Sequence, residues 1–180
     1  MKTHFTSDTH FNHKNIIEYS NRPYTDINHM TEMLVQNWNS VVDKGDTVIH
    51  VGDFAMGDKE QIPGIRKRLN GRIVLVLGNH DYDRRGQILK PIQAGGFDEM
   101  YPELTIEVDG IMVYVRHEPK LDFRSTAEVP YHICGHVHDA WNRKGHIINA
   151  GMDVRGYKPI TLNDMINDAV EVTGRSHRGY

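Results

Sequence analysis

The stretch Thr47–Val48–Ile49–His50–Val51–Gly52–Asp53 is a short apolar run that stops at a glycine and then presents one carboxylate. Four other apolar runs end in a similar way. Thr3–Ser7 leads into Asp8–Thr9–His10, and Arg72–Leu77 into Gly78–Asn79–His80–Asp81. Ile111–Arg116 leads into His117–Glu118–Pro119, and Tyr131–Cys134 into Gly135–His136–Val137–His138. Each ending offers carboxylate, imidazole or amide groups, the donor types that divalent metals take. Side chains two apart on an extended segment point the same way, so Asp8 and His10 can reach one ion together, and by spacing so can His136 and His138. One Asp-x-His or His-x-His alone is more often a solvated pair than a ligand pair. Five such endings, all at the same end of predicted strands, read as strand ends meeting around two metal ions, with Asp53 between them.

Totals narrow the class. A chain of 180 residues with 38% hydrophobic and 25% charged content has the composition of an ordinary globular protein. Its length suits one domain, expected over residues 1–172, with 173–180 as a frayed polar tail. A net charge of −3 without a long basic run argues against a dedicated nucleic-acid or anionic-membrane surface. The single Cys134 excludes an internal disulfide. No apolar stretch approaches the ~20 residues of a membrane span, and Met1–Thr6 lacks a signal-peptide core, so a cytoplasmic protein is expected. Of twelve histidines, five stand in the run endings just quoted.

Around these endings the chain alternates strands and helices. Lys2–Ser7 reads as a first strand, and Phe11–Ser20 as one or two helical turns stopped by Arg22–Pro23. Asp26 is placed to cap a helix running to about Val42, whose Ile27, Met30, Met33, Leu34, Trp38 and Val41 recur at three-and-four spacing and face a core. Asp58–Asn70 predicts another helix, in which Pro63 must sit in the first turn or break the helix, and Arg84–Ala94 a weaker one. Arg72–Leu77 is apolar enough for a strand buried on both faces. Leu104–Val108 and Ile111–Val115 flank Asp109–Gly110 and predict a hairpin. His146–Ala150 and Pro159–Leu162 are expected strands, and Asn163–Val170 a closing helix. The order implies mixed α/β layers. Cys134 reads as a packed strand residue, and His50 as a core or helix-facing histidine and not a ligand.

Asp8-x-His10, Gly52–Asp53, Gly78–Asn79–His80–Asp81, His117 and Gly135–His136-x-His138, in this order, resemble the calcineurin-like metallophosphoesterase superfamily over about Lys2 to Leu162. Asp8–Thr9–His10–Phe11-x-His13–Lys14–Asn15–Ile16–Ile17 and Asp153–Val154-x3–Lys158–Pro159 are similar to its small single-domain bacterial and phage members. The resemblance implies a two-sheet β-sandwich flanked by helices, an αββα four-layer α/β (α+β) fold. It implies Asp8, His10 and His138 on one divalent ion, Asn79, His117 and His136 on a second, and Asp53 on both. It gives His80 contact with the phosphate and protonation of the leaving oxygen. Independently of the resemblance, Asp81 beside it is expected to fix the imidazole's tautomer and raise its pKa, as carboxylate partners do. Asn12, His13 and Arg22 follow the first ligand pair and are candidates to line a phosphate pocket, against an equal reading as a solvated loop.

The implied activity is hydrolysis of a phosphomonoester or a small phosphodiester, a nucleotide or cyclic nucleotide among them, by a hydroxide held between the ions. A nitrogen and oxygen donor set without thiolate suits Mn, Fe, Zn, Co or Ni. The segment after Asp53 reads Phe54–Ala55–Met56–Gly57 and lacks the Asp-Arg-Gly of the superfamily's protein phosphatases, so protein phosphatase activity is not expected. The expected partner is a small soluble phosphoester; from charge and hydropathy neither a membrane nor a nucleic acid is expected, and the oligomeric state is left open. Two rivals are a catalytically silent scaffold acting as a binding module and a nuclease or RNA-processing subunit. The first would show a broken ligand set and the second a basic groove.

Overall fold

The computed structural model describes residues 1–168; the expected tail and the last residues of the expected closing helix lie outside that range. Two mixed five-stranded sheets face each other. In the first, β1 (Thr3–Thr6), β2 (Thr47–His50), β3 (Arg72–Val76) and β4 (Glu99–Tyr101) run parallel, and β10 (Ile160–Thr161) pairs antiparallel with β1. In the second, the order is β5 (Glu103–Val108), β6 (Ile111–Arg116), β7 (Tyr131–Cys134), β9 (Ile147–Asn149) and β8 (Arg143–Lys144). There β6, β7 and β9 are parallel and the two edge strands antiparallel.

Alternation along each strand sorts side chains between two cores. Phe5, Ile49, Val51 and Val76 meet Val113, Val115, Ile133 and Ile148 between the sheets. Val48, Ile73 and Leu75 turn the other way, against α2 (Ile27–Asn39) and α3 (Ile62–Arg68), whose Met30, Leu34, Trp38, Ile62 and Ile65 complete a second core. The Met/Trp stripe is therefore packing. So is His50, fully buried with its ring stacked on Trp38 at 6.4 Å and tilted on Phe54 at 5.2 Å. Leu162 and Met165 of α5 (Leu162–Asn167) join the inter-sheet core. Cys134 is buried with Trp141 and Ile147 on the outer face of the second sheet. Among the described residues no helix is long and apolar enough to cross a membrane.

Local chemistry explains the boundaries. Asp26 Oδ1 accepts from the N–H groups of Asn28 and His29 at 2.8 and 2.9 Å and starts α2 as expected. The first turn of the helix expected from Asp58 is a 3-10 turn, and the α-helix begins at Ile62 with Pro63 in its first turn. The helix expected over Arg84–Ala94 shrinks to α4, Lys90–Gln93; α1 is Ile16–Tyr19. Asp83 Oδ1 takes the N–H groups of Arg85 and Gln87 at 2.8 and 2.9 Å, a side-chain turn that competes with the helix.

Register decides the function. Thr6 pairs with His50 and His50 with Leu75, so β1, β2 and β3 end level. Val115 pairs with Ile133, so β6 and β7 also end level. The residues that follow each of these five strands therefore emerge along one rim.

Candidate metal centre

Two sets of donors gather on that rim. Asp8, His10 and His138 each bring one ligand atom within 4.8 Å of the others, and Asp53, His117 and His136 do the same. Asn79 Oδ1 lies 3.1 Å from His117 Nε2 and 3.0 Å from His136 Nδ1, which places it with the second set. Asp53 stands between the sets: its Oδ2 is 3.7 Å from His10 Nε2 and 3.3 Å from His117 Nε2.

The backbone is bent to make this gathering. Of nine non-glycine residues with positive φ among the described residues, five are Asp8, His10, Asp53, His136 and His138, at +45° to +70°. Asp, Asn and His tolerate this left-handed region better than other side chains, yet it still costs free energy that the surrounding bonds must outweigh. The N–H groups of Asp8 and His10 donate to the carbonyls of Gly52 and Asp53, stitching the first turn to the second. Close approach also needs glycine. A Cβ on Gly135 would run into Ser7 Oγ and the Asp8 carboxylate, and one on Gly78 into the Asp53 carboxylate.

Partners fix the imidazoles. His117 Nδ1 lies 2.7 Å from the Val51 carbonyl, an acceptor only, so Nδ1 carries the proton and Nε2 faces Asp53 and Asn79. His138 Nδ1 is 2.9 Å from Asp153 Oδ2. His10 is the strongest sign of an absent partner. Its side chain is only 2% exposed, yet neither ring nitrogen has a hydrogen-bond partner. Buried polar nitrogens are rarely left so, and a cation that accepts the Nε2 lone pair fits this one. Burial, partly opposed by the charge of Asp53, holds His10 well below the ordinary histidine value, which keeps the ring neutral as a metal ligand must be. Burial would raise the Asp53 carboxyl, but the hydrogen bond and positive charge of His117 take it below the carboxylate range. The same pairing overcomes burial at His117 and pushes it up.

His80 is set apart. Its N–H donates to Asp53 Oδ1 at 2.9 Å, its carbonyl accepts from Lys59 Nζ at 2.5 Å, and its half-exposed ring sits 5.5 Å from that of His10. Asp81 does not do what was expected of it. Its Oδ2 accepts from the N–H groups of Gly78 and Asp53 at 2.8 and 3.0 Å, so it ties two strand ends together and leaves the His80 ring alone. Burial, with the nearby Asp53 charge, raises its carboxyl to about 6.

The three residues expected at the phosphate pocket separate. His13 does line the cavity of about 430 Å³ over the donor sets, with Ile16, Tyr19, Met56 and His80. Burial, with positive neighbours, lowers it to about 4, so it is a neutral ring there. Asn12 instead donates through Nδ2 to the Asp58 carbonyl at 2.8 Å. Arg22 is a correction: its side chain is fully buried beneath the rim, paired with Asp153 and donating to the carbonyls of Asp8 and Thr9. A guanidinium with these partners is a strut and cannot meet a phosphate. Asp153 was given no role by its sequence, although Ile147–Ala150 followed by Gly151-x-Asp153 repeats the signal of a strand, a glycine and a carboxylate. Thr9 was also missed. Its hydroxyl donates to the Phe54 carbonyl at 2.7 Å and so accepts from His50 Nε2 at 2.9 Å, tying the metal rim to the helix-side core.

Residues 1–154 match the model of the calcineurin-like phosphoesterase superfamily domain. The chain is 33% identical over 178 residues to an uncharacterized protein of Methanocaldococcus jannaschii, covering 94% of this chain and 92% of that protein. It is 42% identical over 82 residues to the gene 66 protein of Mycobacterium phage L5, covering 44% of this chain and 39% of that protein. Its fold is similar to the crystal structure of a protein of unknown function from Aquifex aeolicus, with a TM-score of 0.68 at 31% identity over 93% of this chain and 98% of that one. Matched over most of its length, and with the two-sheet architecture, the chain belongs to the calcineurin-like phosphoesterase superfamily.

Proposed function

We propose that the protein is a phosphoesterase dependent on two divalent ions, hydrolysing a phosphomonoester or a small phosphodiester, nucleotides and cyclic nucleotides included. The observation that carries this reading is the position of Asp53 Oδ2 between His10 Nε2 and His117 Nε2, one carboxylate shared by two donor sets. Asp8, His10, His138 and Asp53 would hold one ion, and Asn79, His117, His136 and Asp53 the other. The nitrogen and oxygen donors suit Mn, Fe, Zn, Co or Ni. When bound, such a pair supplies water made acidic near neutral pH and positive charge against the phosphate oxygens.

The chain's own groups do the rest. Only Asp8 and Asp53 among the seven donors are carboxylates, so the donor set offsets half of the four positive charges and leaves the site attractive to an anion. Loading the second set requires His117 to give up the proton that Asp53 now favours, so metal uptake releases protons. His80, at the cavity wall and tethered through Asp53 Oδ1 and Lys59 Nζ, is aimed to meet the phosphate and hand a proton to the leaving oxygen. The cavity of about 430 Å³ has room for more than a phosphate group, and Ile16, Tyr19 and Met56 give the ester's organic part an apolar wall.

Metal-stripped protein is expected to be inert towards p-nitrophenyl phosphate and bis-p-nitrophenyl phosphate, and Mn²⁺ to restore turnover of at least one of them. Failure on both esters with every one of Mn, Fe, Zn, Co and Ni would contradict the reading.

A further inference from the structure

Beneath the first donor set lies an ion pair that no metal ligand contains. Arg22 follows the first helical turn and Asp153 follows β9, 131 positions later, and both side chains are at most 1% exposed. Arg22 Nε and Nη2 donate to Asp153 Oδ1 and Oδ2 at 2.8 and 3.0 Å. The rest of the guanidinium is committed as well: Nη2 donates to the Asp8 carbonyl at 2.7 Å and Nη1 to the Thr9 carbonyl at 2.9 Å. Asp153 Oδ2 in turn accepts from His138 Nδ1 at 2.9 Å.

The direction of these bonds matters. Apart from a 3.7 Å contact of Arg22 Nη1 with Met30 Sδ, every side-chain bond that leaves the pair ends on Asp8, on the Thr9 carbonyl just before His10, or on His138, at the turns of one donor set. None reaches Asn79, His117 or His136. The pair holds two of the left-handed turns, at Asp8–His10 and at His138, that the backbone would otherwise resist. A carboxylate held by a guanidinium can only accept, so the proton of His138 stays on Nδ1 and the Nε2 lone pair is left for the rim. His10 is stacked on the His138 ring at 5.1 Å, so a turned His138 would disturb both imidazoles.

We propose that Asp153 and Arg22 are positioning residues for one half of the metal centre, fixing the tautomer of His138 and the turn that carries Asp8 and His10. The proposal rests on the two-ion reading above. It makes the halves unequal: damage to the pair empties the Asp8–His10–His138 half and leaves the Asn79–His117–His136 half filled.

The test uses zinc on the full chain, followed by metal titration and by ¹⁵N signals of the histidine rings. Wild-type protein should take two zinc ions, and its zinc-loaded His138 should carry the proton on Nδ1. Asp153→Asn, which keeps size and removes charge, should weaken one zinc by ~10–100-fold, the usual effect of losing a carboxylate behind a ligating histidine. The ring signals of His10 and His138 should then report the empty half while those of His117 and His136 stay unchanged. Arg22→Lys, whose single ammonium cannot serve four acceptors, should weaken the same ion. If neither variant folds, the wild-type His138 signal still decides. A proton on Nε2 of zinc-loaded His138, unchanged zinc affinity in both variants, or equal loss from both halves would overturn the proposal. Two ions in wild type with no effect of the variants would sink this inference alone, whereas no zinc in wild type would sink it together with the two-ion reading.

Discussion

At the scale of the residue, His80 has the geometry of a group that acts on substrate: a half-exposed ring on a backbone pinned at both ends, by Asp53 and by Lys59. His80→Ala is expected to keep both ions by elemental analysis and to lose ~10²–10⁴-fold in rate on an ester with a poor leaving group, the usual scale for a general acid. An unchanged rate on such a substrate would remove that role. Asp46 is a carboxylate of the opposite kind, spent on structure. Its Oδ1 accepts from the Lys2 N–H at 2.7 Å, and its Oδ2 accepts from the Asp43 N–H at 3.2 Å and lies 3.1 Å from His4 Nε2. The Lys2 bond leads in holding its carboxyl down at about 2. A folded value depressed below the ~3.9 of an unfolded aspartate gives stability that is whole above pH ~4 and lost as pH falls through about 2. In metal-free protein, Asp46→Asn should therefore have a lower urea midpoint than wild type at pH 5, and the gap should close towards pH 2. A gap that stayed constant across that range would contradict the assignment.

At the scale of the element, the site is a property of where strands stop. Level register brings five strand ends to one rim, and glycine at the stops lets the rims of the two sheets touch. Gly135→Ala tests this, because its Cβ would need the space of Ser7 Oγ and the Asp8 carboxylate. The variant should fold, since Gly135 lies outside β7, but should bind metal through the Asp8 half at least ~10-fold more weakly, on the scale of losing a ligand's support. Wild-type affinity by metal titration would show that the rims have slack. The strand ends and α2 were legible from sequence because each carries its own signal: an apolar run with a stop, or an apolar stripe with Asp26 as its cap. What was not legible depends on partners distant in the chain. Glu99–Tyr101 is a strand only because β3 offers it an edge, and the residues after Asp83 leave the helix because one carboxylate captures two N–H groups. Arg22 beside a ligand pair reads as a phosphate contact until Asp153, 131 positions away, is seen to hold it.

At the scale of the whole molecule, two sheets held by a shared apolar core support a rim that is poor in stability by itself. The rim gathers imidazoles, carboxylates and left-handed turns, with neither ring nitrogen of His10 hydrogen-bonded, and all of these favour a bound cation. Binding to the folded state alone adds about 4 kcal/mol when free ion stands at 1,000 times Kd. At that saturation, stripping the metal should therefore lower the unfolding temperature by roughly 8–16 °C and restoring Mn²⁺ should recover it, since a ~1 kcal/mol change moves a chain of this size by ~2–4 °C. An unfolding temperature indifferent to the ion would mean that the rim binds none tightly. The most direct test is the count and place of the ions themselves. Anomalous scattering from crystals of manganese-loaded protein should show two peaks ~3.5–4 Å apart, the separation of two-metal hydrolytic sites, with the Asp53 carboxylate touching both. A single peak, or two peaks of which Asp53 touches only one, would contradict the account.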